Sequence, residues 1–140
     1  MDYVADRDNN RIQIFKHNGE FVKVIQRGVN PIMSPRDVKI DTIRRRILIV
    51  DSGNNNVELL HLDTLERIFC LPVSNCYGAC FDIVGNILIA DYNNKKILIL
   101  SSTTFRAIAI IDTIGSPIGV TTDTDQRIIV TDNANKLFVY

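Results

Sequence analysis

The sequence predicts an all-β protein assembled from a recurring four-stranded antiparallel unit. Three observations carry that prediction. First, a short apolar run ending in Asp and followed by an Asn-rich turn occurs four times: YVADRDNNRIQIF, ILIVDSGNNNV, ILIADYNNKKI and IIVTDNANKLF. The anchoring acids Asp6, Asp51, Asp91 and Asp132 stand 45, 40 and 41 residues apart. Second, Asp41, Asp82 and Asp123 precede the last three anchors by ten, nine and nine residues, each closing a short run (VKID, CFD, VTTD). Third, no stretch sustains a 3.6-residue apolar period, so helix content is expected to be negligible. Two markers in phase over most of 140 residues make a structural repeat.

One full unit divides into strands near 37–41, 46–51, 57–62 and 66–71, and the next near 79–82, 86–91, 96–101 and 105–111. The second strand of each unit is apolar on successive residues (ILIV, ILIA, IIV) instead of alternating. Successive side chains of a strand point to opposite faces, so this pattern calls for burial on both. A four-stranded sheet covered on both faces and recurring every ~40 residues is the blade of a β-propeller. The chain opens and closes inside a blade. The expected divisions are a partial blade at 1–33, blades at 34–73 and 74–115, and a partial blade at 116–140. Fourteen strands make an arc, and a six-bladed ring would need about 240 residues at this period. The missing blades, or a second copy meeting the end blades, are therefore expected partners. The end runs YVAD–IQIF and RIIV–LFVY are expected to be apolar on both sides.

The turn chemistry follows from the same residues. An Asp at a strand end accepts hydrogen bonds from backbone N–H groups of the turn that follows. The Asn three residues on (Asn9, Asn54, Asn94, Asn135) is expected to close the other side and to tolerate positive φ, with Gly53 serving the same need. The pairs Asp6–Asn9, Asp51–Asn54, Asp91–Asn94 and Asp132–Asn135 are read as structural clasps. A calcium loop would require more acids and a terminal Glu.

Composition narrows the function. Net charge is zero and the sequence pI is about 6.7, so no bulk field recruits nucleic acid or anionic membrane. No apolar run approaches the ~18 residues of a membrane span. The N-terminus is polar and repeat-like, unlike a signal peptide. Three cysteines, Cys70, Cys76 and Cys80, favour free thiols in a reducing, cytoplasmic setting, with one disulfide and a spare thiol as the alternative. No zinc site is expected, since Cys76 and Cys80 lack a second ligand pair.

At the anchor runs the chain resembles the NHL-repeat family of β-propellers. Ser34–Pro35 and Ser116–Pro117 match the family's turn into the first strand, and the YVADRDNNRIQIF, LIVDSGNNNVELL and LIADYNNKKILIL runs match its second and third strands. The family glycine after the proline is kept as Gly119 and replaced by Asp37. In the third unit Tyr77 is read in the proline's place, followed by Gly78.

The resemblance implies a binding face on the "top" rim, where the loops joining strand 4 to strand 1 and strand 2 to strand 3 lie together. Arg7, Arg11, Arg36, Tyr92, Lys95, Lys96 and Lys136 map there as candidate binding residues. Arg44, Arg45 and Arg46 map to the opposite rim and read as a solvated hairpin tip. The expected function is a non-catalytic scaffold for a protein or peptide ligand. RNA binding on the basic rim is the alternative, and of the candidate rim residues Tyr92 alone offers a ring for stacking. A metal-dependent lyase or lactonase-like enzyme is the third reading. It has no nucleophile–base pair or metal-ligand set behind it, so no catalytic residue, metal or cofactor is assigned.

Overall fold

The structure, a computed structural model, describes residues 1–140 and contains fourteen strands in four antiparallel sheets. The first sheet comprises β1 (Asp2–Asp6), β2 (Arg11–Phe15) and β3 (Phe21–Ile25). The second holds β4 (Pro35–Asp41), β5 (Arg46–Asp51), β6 (Asn56–His61) and β7 (Arg67–Pro72). The third holds β8 (Cys76–Phe81), β9 (Ile87–Asp91), β10 (Lys96–Leu100) and β11 (Ala107–Asp112). The fourth has β12 (Pro117–Thr122), β13 (Ile128–Asp132) and β14 (Leu137–Val139). Strands lie in sequence order within every sheet. The only helical pieces are two single 3₁₀ turns, Arg7–Asn9 and Ser52–Asn54.

The continuous apolar runs divide between neighbouring sheets. Ile47 and Ile49 pack with Ile12, Ile14, Ile25 and Leu60 between the first and second sheets. Leu48 and Val50 turn the other way and meet Ile87, Ile89 and Leu100 of the third sheet. Leu88, Ala90 and Ile97 continue onto Val120 and Val130 of the fourth. Each fully buried Ile or Leu contributes roughly 1.5–3 kcal/mol, so these three seams hold the sheets face to face. A register shift recurs between the last two strands of the first three sheets, at Ile14/Phe15, Leu59/Leu60 and Ile99/Leu100. A second shift recurs in the first strands of the later sheets, at Pro35/Asp37, Cys76/Ala79 and Pro117/Gly119, and such bulges increase local twist.

Charged groups are buried among these contacts, Arg46 and Glu58 with them. Arg46, expected at a solvated tip, is 5% exposed. It donates to Asp41 Oδ2 (2.7 Å), Gly85 O (2.9 Å) and Ser102 O (3.0 Å), and its guanidinium lies over the Phe81 ring. The reason is register: Arg46 pairs with Asp41 across β4–β5, which points it into the third sheet. Arg44 and Arg45 remain exposed. Glu58 on β6 is 2% exposed and accepts from Arg27 of the β3–β4 linker (2.7 Å) and from Arg67 (3.0 and 3.2 Å).

The end faces also differ from expectation. The outer face of the first sheet is partly polar, because Arg11 and Gln13 both donate to Asp6 Oδ2 at 2.7 Å beside exposed Val4 and the Phe15–Phe21 pair. On the last sheet Val120 and Val130 face the seam. The alternate positions Thr121, Ile129 and Val139, and Thr131 and Leu137, therefore face away.

Candidate functional site

The two sets of loops assigned to one rim are hydrogen-bonded to each other. Gly53 N–H donates to Met33 O (2.8 Å), Val73 N–H to Asn55 O (2.9 Å), Thr113 N–H to Lys95 O (2.9 Å) and Asn133 N–H to Ser116 O (3.1 Å). Ser34 N–H donates to Asn10 Oδ1 (2.8 Å), and Ser52 Oγ to Cys76 O (2.8 Å). Each linker thus rests on a turn, and the rim is a stitched surface.

Within the turns, the amide of Asn9, Asn54 or Asn94 donates to its anchor Asp at 2.8–2.9 Å. Asp132 instead accepts the backbone N–H groups of Ala134 and Lys136, both at 2.9 Å. Positive φ falls one residue later than read, on Asn10, Asn55 and Lys95. Only in the last turn, one residue shorter, does Asn135 take it, with φ 60°. Gly53 is required for another reason. A Cβ there would sit 2.7 Å from Met33 O, where the linker crosses the turn.

Environment separates these acids. Arg11 beside Asp6 holds its carboxyl below the usual 3.8, aided by Asn9. Burial pushes Asp51 above that value, against the bonds from Asn54 and the Met33 N–H. The second set, Asp41, Asp82 and Asp123, lies on the opposite rim. There they accept backbone N–H groups of Arg44, Asn86 and Arg127 at 2.8–2.9 Å.

The candidate cations do not behave alike. Arg11 is spent on Asp6. Arg7, Lys95 and Lys136 are exposed, Lys96 is half-buried at the start of β10, and none of these four enters an ion pair. Arg36 is exposed, yet its guanidinium carbon lies 4.4 Å above the Tyr77 ring. Tyr77 meets Tyr92 edge-on at 5.1 Å, and the Tyr92 hydroxyl accepts from Asn133 Nδ2 (3.3 Å). This chain of contacts joins the second, third and fourth sheets. It brings Arg36 and Tyr92 together and leaves Arg7 and Arg11 on the first sheet.

Tyr77 and Asn133 were not among the candidate rim residues read from sequence, and a register error, which put Tyr77 in the proline's place, hid the first. Pro35, Cys76 and Pro117 pair with the anchors Asp51, Asp91 and Asp132, so Cys76 occupies the proline position. Tyr77 therefore stands in one column with Arg36 and Ile118, and alignment on that column would have found it.

A cleft of about 370 Å³ opens beside Tyr77, between the first strands of successive sheets. Its lining includes Lys39 paired with Asp37 at 2.5 Å, together with Ile118, Val120 and Ile129. Gly78 lets those strands approach, since a Cβ would stand 2.7 Å from Ile118 O. A larger cavity of about 590 Å³ lies between the first and second sheets, lined in part by Tyr3, Ile14, Val22 and Leu62. Its Arg45 and Asp63 are already paired with each other, whereas Arg36 on the candidate rim enters no ion pair.

Comparison with solved structures gives the fold. The WD40 β-propeller domain of Doa1 superposes with a TM-score of 0.78 at 14% identity, over 98% of this chain and 45% of that one. The chain is an arc of a β-propeller. A second propeller, streptogramin B lyase, superposes with a TM-score of 0.71 at 17% identity, over 99% of this chain and 50% of the other. The arc spans about half the length of these two propellers. At these identities the likeness concerns fold alone. No protein-family model matches the chain, nor does any curated protein.

Proposed function

We propose that the arc is a non-catalytic scaffold of NHL type that recognises a protein or peptide across its top rim. The observation that carries this reading is the contact chain Arg36–Tyr77–Tyr92–Asn133, in which three sheets contribute side chains to one surface. Aromatic and Arg side chains held on rigid elements are the groups that dominate protein-recognition surfaces. The NHL assignment rests on the repeated Asp-x-x-Asn turns and on the prolines that open the second and fourth sheets.

RNA binding is the second reading, and Tyr77 beside Tyr92 is the observation in its favour. Stacking requires a free ring face, however, and Arg36 lies over Tyr77. The neutral net charge also supplies little of the phosphate attraction on which RNA affinity depends.

Selection from an unbiased displayed-peptide library on the purified chain tests the proposal. Selected peptides should lose at least about tenfold in affinity on Tyr77→Ala and on Asn133→Ala, as expected for anchor residues. Affinity unchanged by both substitutions, or peptides that compete only at the opposite rim around Arg45, would move the site away from the top rim.

A further inference from the structure

The chain has ten arginines, and one of them stands apart from the rest. Arg11, Arg27, Arg44, Arg45, Arg46, Arg67 and Arg127 each bond a carboxylate. Arg7, Arg36 and Arg106 do not, and of these Arg36 alone lies over an aromatic ring, its guanidinium carbon 4.4 Å from the Tyr77 centroid. A cation–π contact uses the charge of the guanidinium without consuming its five N–H donors, which remain for a partner. A planar fork held still in this way matches the two oxygens of a carboxylate.

We propose that Arg36 is the carboxylate-recognition element of the rim, and that the ligand is an extended peptide pairing an acidic group with a neighbouring aliphatic side chain. The proposal rests on the rim reading and names its partner's chemistry.

Charge favours a single negative group. Asp37 beside Arg36 is half-buried and already accepts Lys39 Nζ, Val38 N–H and Ala79 N–H. Arg36, Asp37 and Lys39 together leave one net positive charge, which balances one carboxylate and falls short of a phosphate chain. The rest of the contact chain, Tyr77, Tyr92 and Asn133, is neutral. The aliphatic preference comes from the adjoining cleft of about 370 Å³, where Tyr77 is shared and Ile118, Val120 and Ile129 supply apolar wall. A polypeptide extends by about 3.3 Å per residue with alternate side chains on opposite faces, so residues two apart in one extended segment can face both features.

The probe is a fluorescein-labelled, N-acetylated and C-amidated peptide Ser-Glu-Val-Val-Ser, titrated against the full chain by anisotropy. A second peptide carries Gln for Glu, and a third, Ser-Gln-Val-Val, keeps a free C-terminal carboxylate. Binding by the first or third peptide, lost at least about tenfold in the amide-only version, supports the proposal and tells which carboxylate is read. Arg36→Gln and Arg36→Lys should each lose about tenfold or more, since Lys keeps the charge but not the fork. Both variants should melt with the wild type, and Arg106→Gln should bind as the wild type does.

The proposal is overturned if the Gln peptide binds equally, if Arg36→Lys binds equally, or if neither carboxylate peptide binds at millimolar concentration. It is also overturned if single-stranded RNA binds through Arg36 more tightly than either peptide. Library-selected peptides that depend on Tyr77 but carry no acid and ignore Arg36 would sink the carboxylate assignment while leaving the rim reading intact.

Discussion

The first and second sheets carry one signature 45 residues apart, and the same positions do different work in each. Asp6 and Asp51 both end a strand and both hold the Asn three residues on. Asp6 spends its remaining capacity on Arg11 and Gln13, on a face that no sheet covers. Asp51 is fully buried and takes the Met33 N–H of the incoming linker. On the strand that follows each turn, β2 in the first sheet and β6 in the second, Gln13 corresponds to Glu58, and the half-buried amide becomes a buried carboxylate between two arginines. Burial decides the difference. A turn motif that is locally sufficient becomes part of a seam once a neighbouring sheet lies on it.

The comparison should break most visibly at Glu58. Glu58→Ala leaves Arg27, itself largely buried, without its partner and is expected to cost about 3 kcal/mol. Gln13→Ala should cost about 1 kcal/mol or less, as for one part-buried hydrogen bond. Urea titration of both variants measures the gap, and equal losses would mean that the covering sheet adds nothing.

Next in size is Asp51→Ala, which strands the Met33 N–H beneath the linker, removes one of the two bonds of the Asn54 amide and should cost about 2 kcal/mol. Asp6→Ala, whose donors can turn to water, should cost less than Asp51→Ala in the same titration.

Gly53 and Asp8 occupy matching turn positions. Gly53→Ala should cost about 1–2 kcal/mol because the added Cβ strikes the Met33 backbone. Asp8→Ala should stay within about 0.5 kcal/mol, the usual range for a surface change. A thermal melt in which the two variants coincide would remove the close-approach argument.

The smallest effect is in pH dependence, and its sign differs between the two acids. Asp6 is held below 3.8, so its stabilisation is complete above that value and is lost as pH falls through its folded pKa. Asp51 is raised above 3.8, so it binds a proton more readily folded than unfolded, and its contribution improves as pH falls toward 3.8. Asp6→Asn should therefore flatten the loss of stability in acid, and Asp51→Asn should steepen it. Denaturant midpoints between pH 6 and 3 read both slopes, and slopes of the same sign would contradict the two environments.

Much of the architecture was legible because it is written locally and repeated. Strand ends fell within about two residues through most of the chain, since each is marked by an Asp or by turn residues, and register follows from period-two geometry. The double-sided burial of β5 and β9 was visible in their unbroken apolar runs. What escaped depends on contacts between units. Arg46 sits in a basic triplet that reads as a solvated tip, and only its pairing with Asp41 turns it into the seam. Gly53 looks like a turn glycine until the linker lies over it. Tyr77 reads as a stray substitution until the β8–β9 register places it in the column of Arg36. The free cations of the rim were all visible in sequence. Which one is held still was not, because a ring from another repeat does the holding.

The buried thiols give the arc a way to report its own opening. Cys76 packs in the seam between the second and third sheets, and Cys80 in the seam between the third and fourth. Burial pushes both up to about 12, so neither offers appreciable thiolate to a reagent while its seam is closed. Half-buried Cys70 on β7 supplies an internal reference for reagent access. The labelling rate of each buried cysteine therefore counts how often one particular seam parts, with adjacent blades timed separately in a single molecule. Equal rates would describe an arc that unfolds as one body, whereas faster labelling at Cys80 would describe one that peels from its last blade inward.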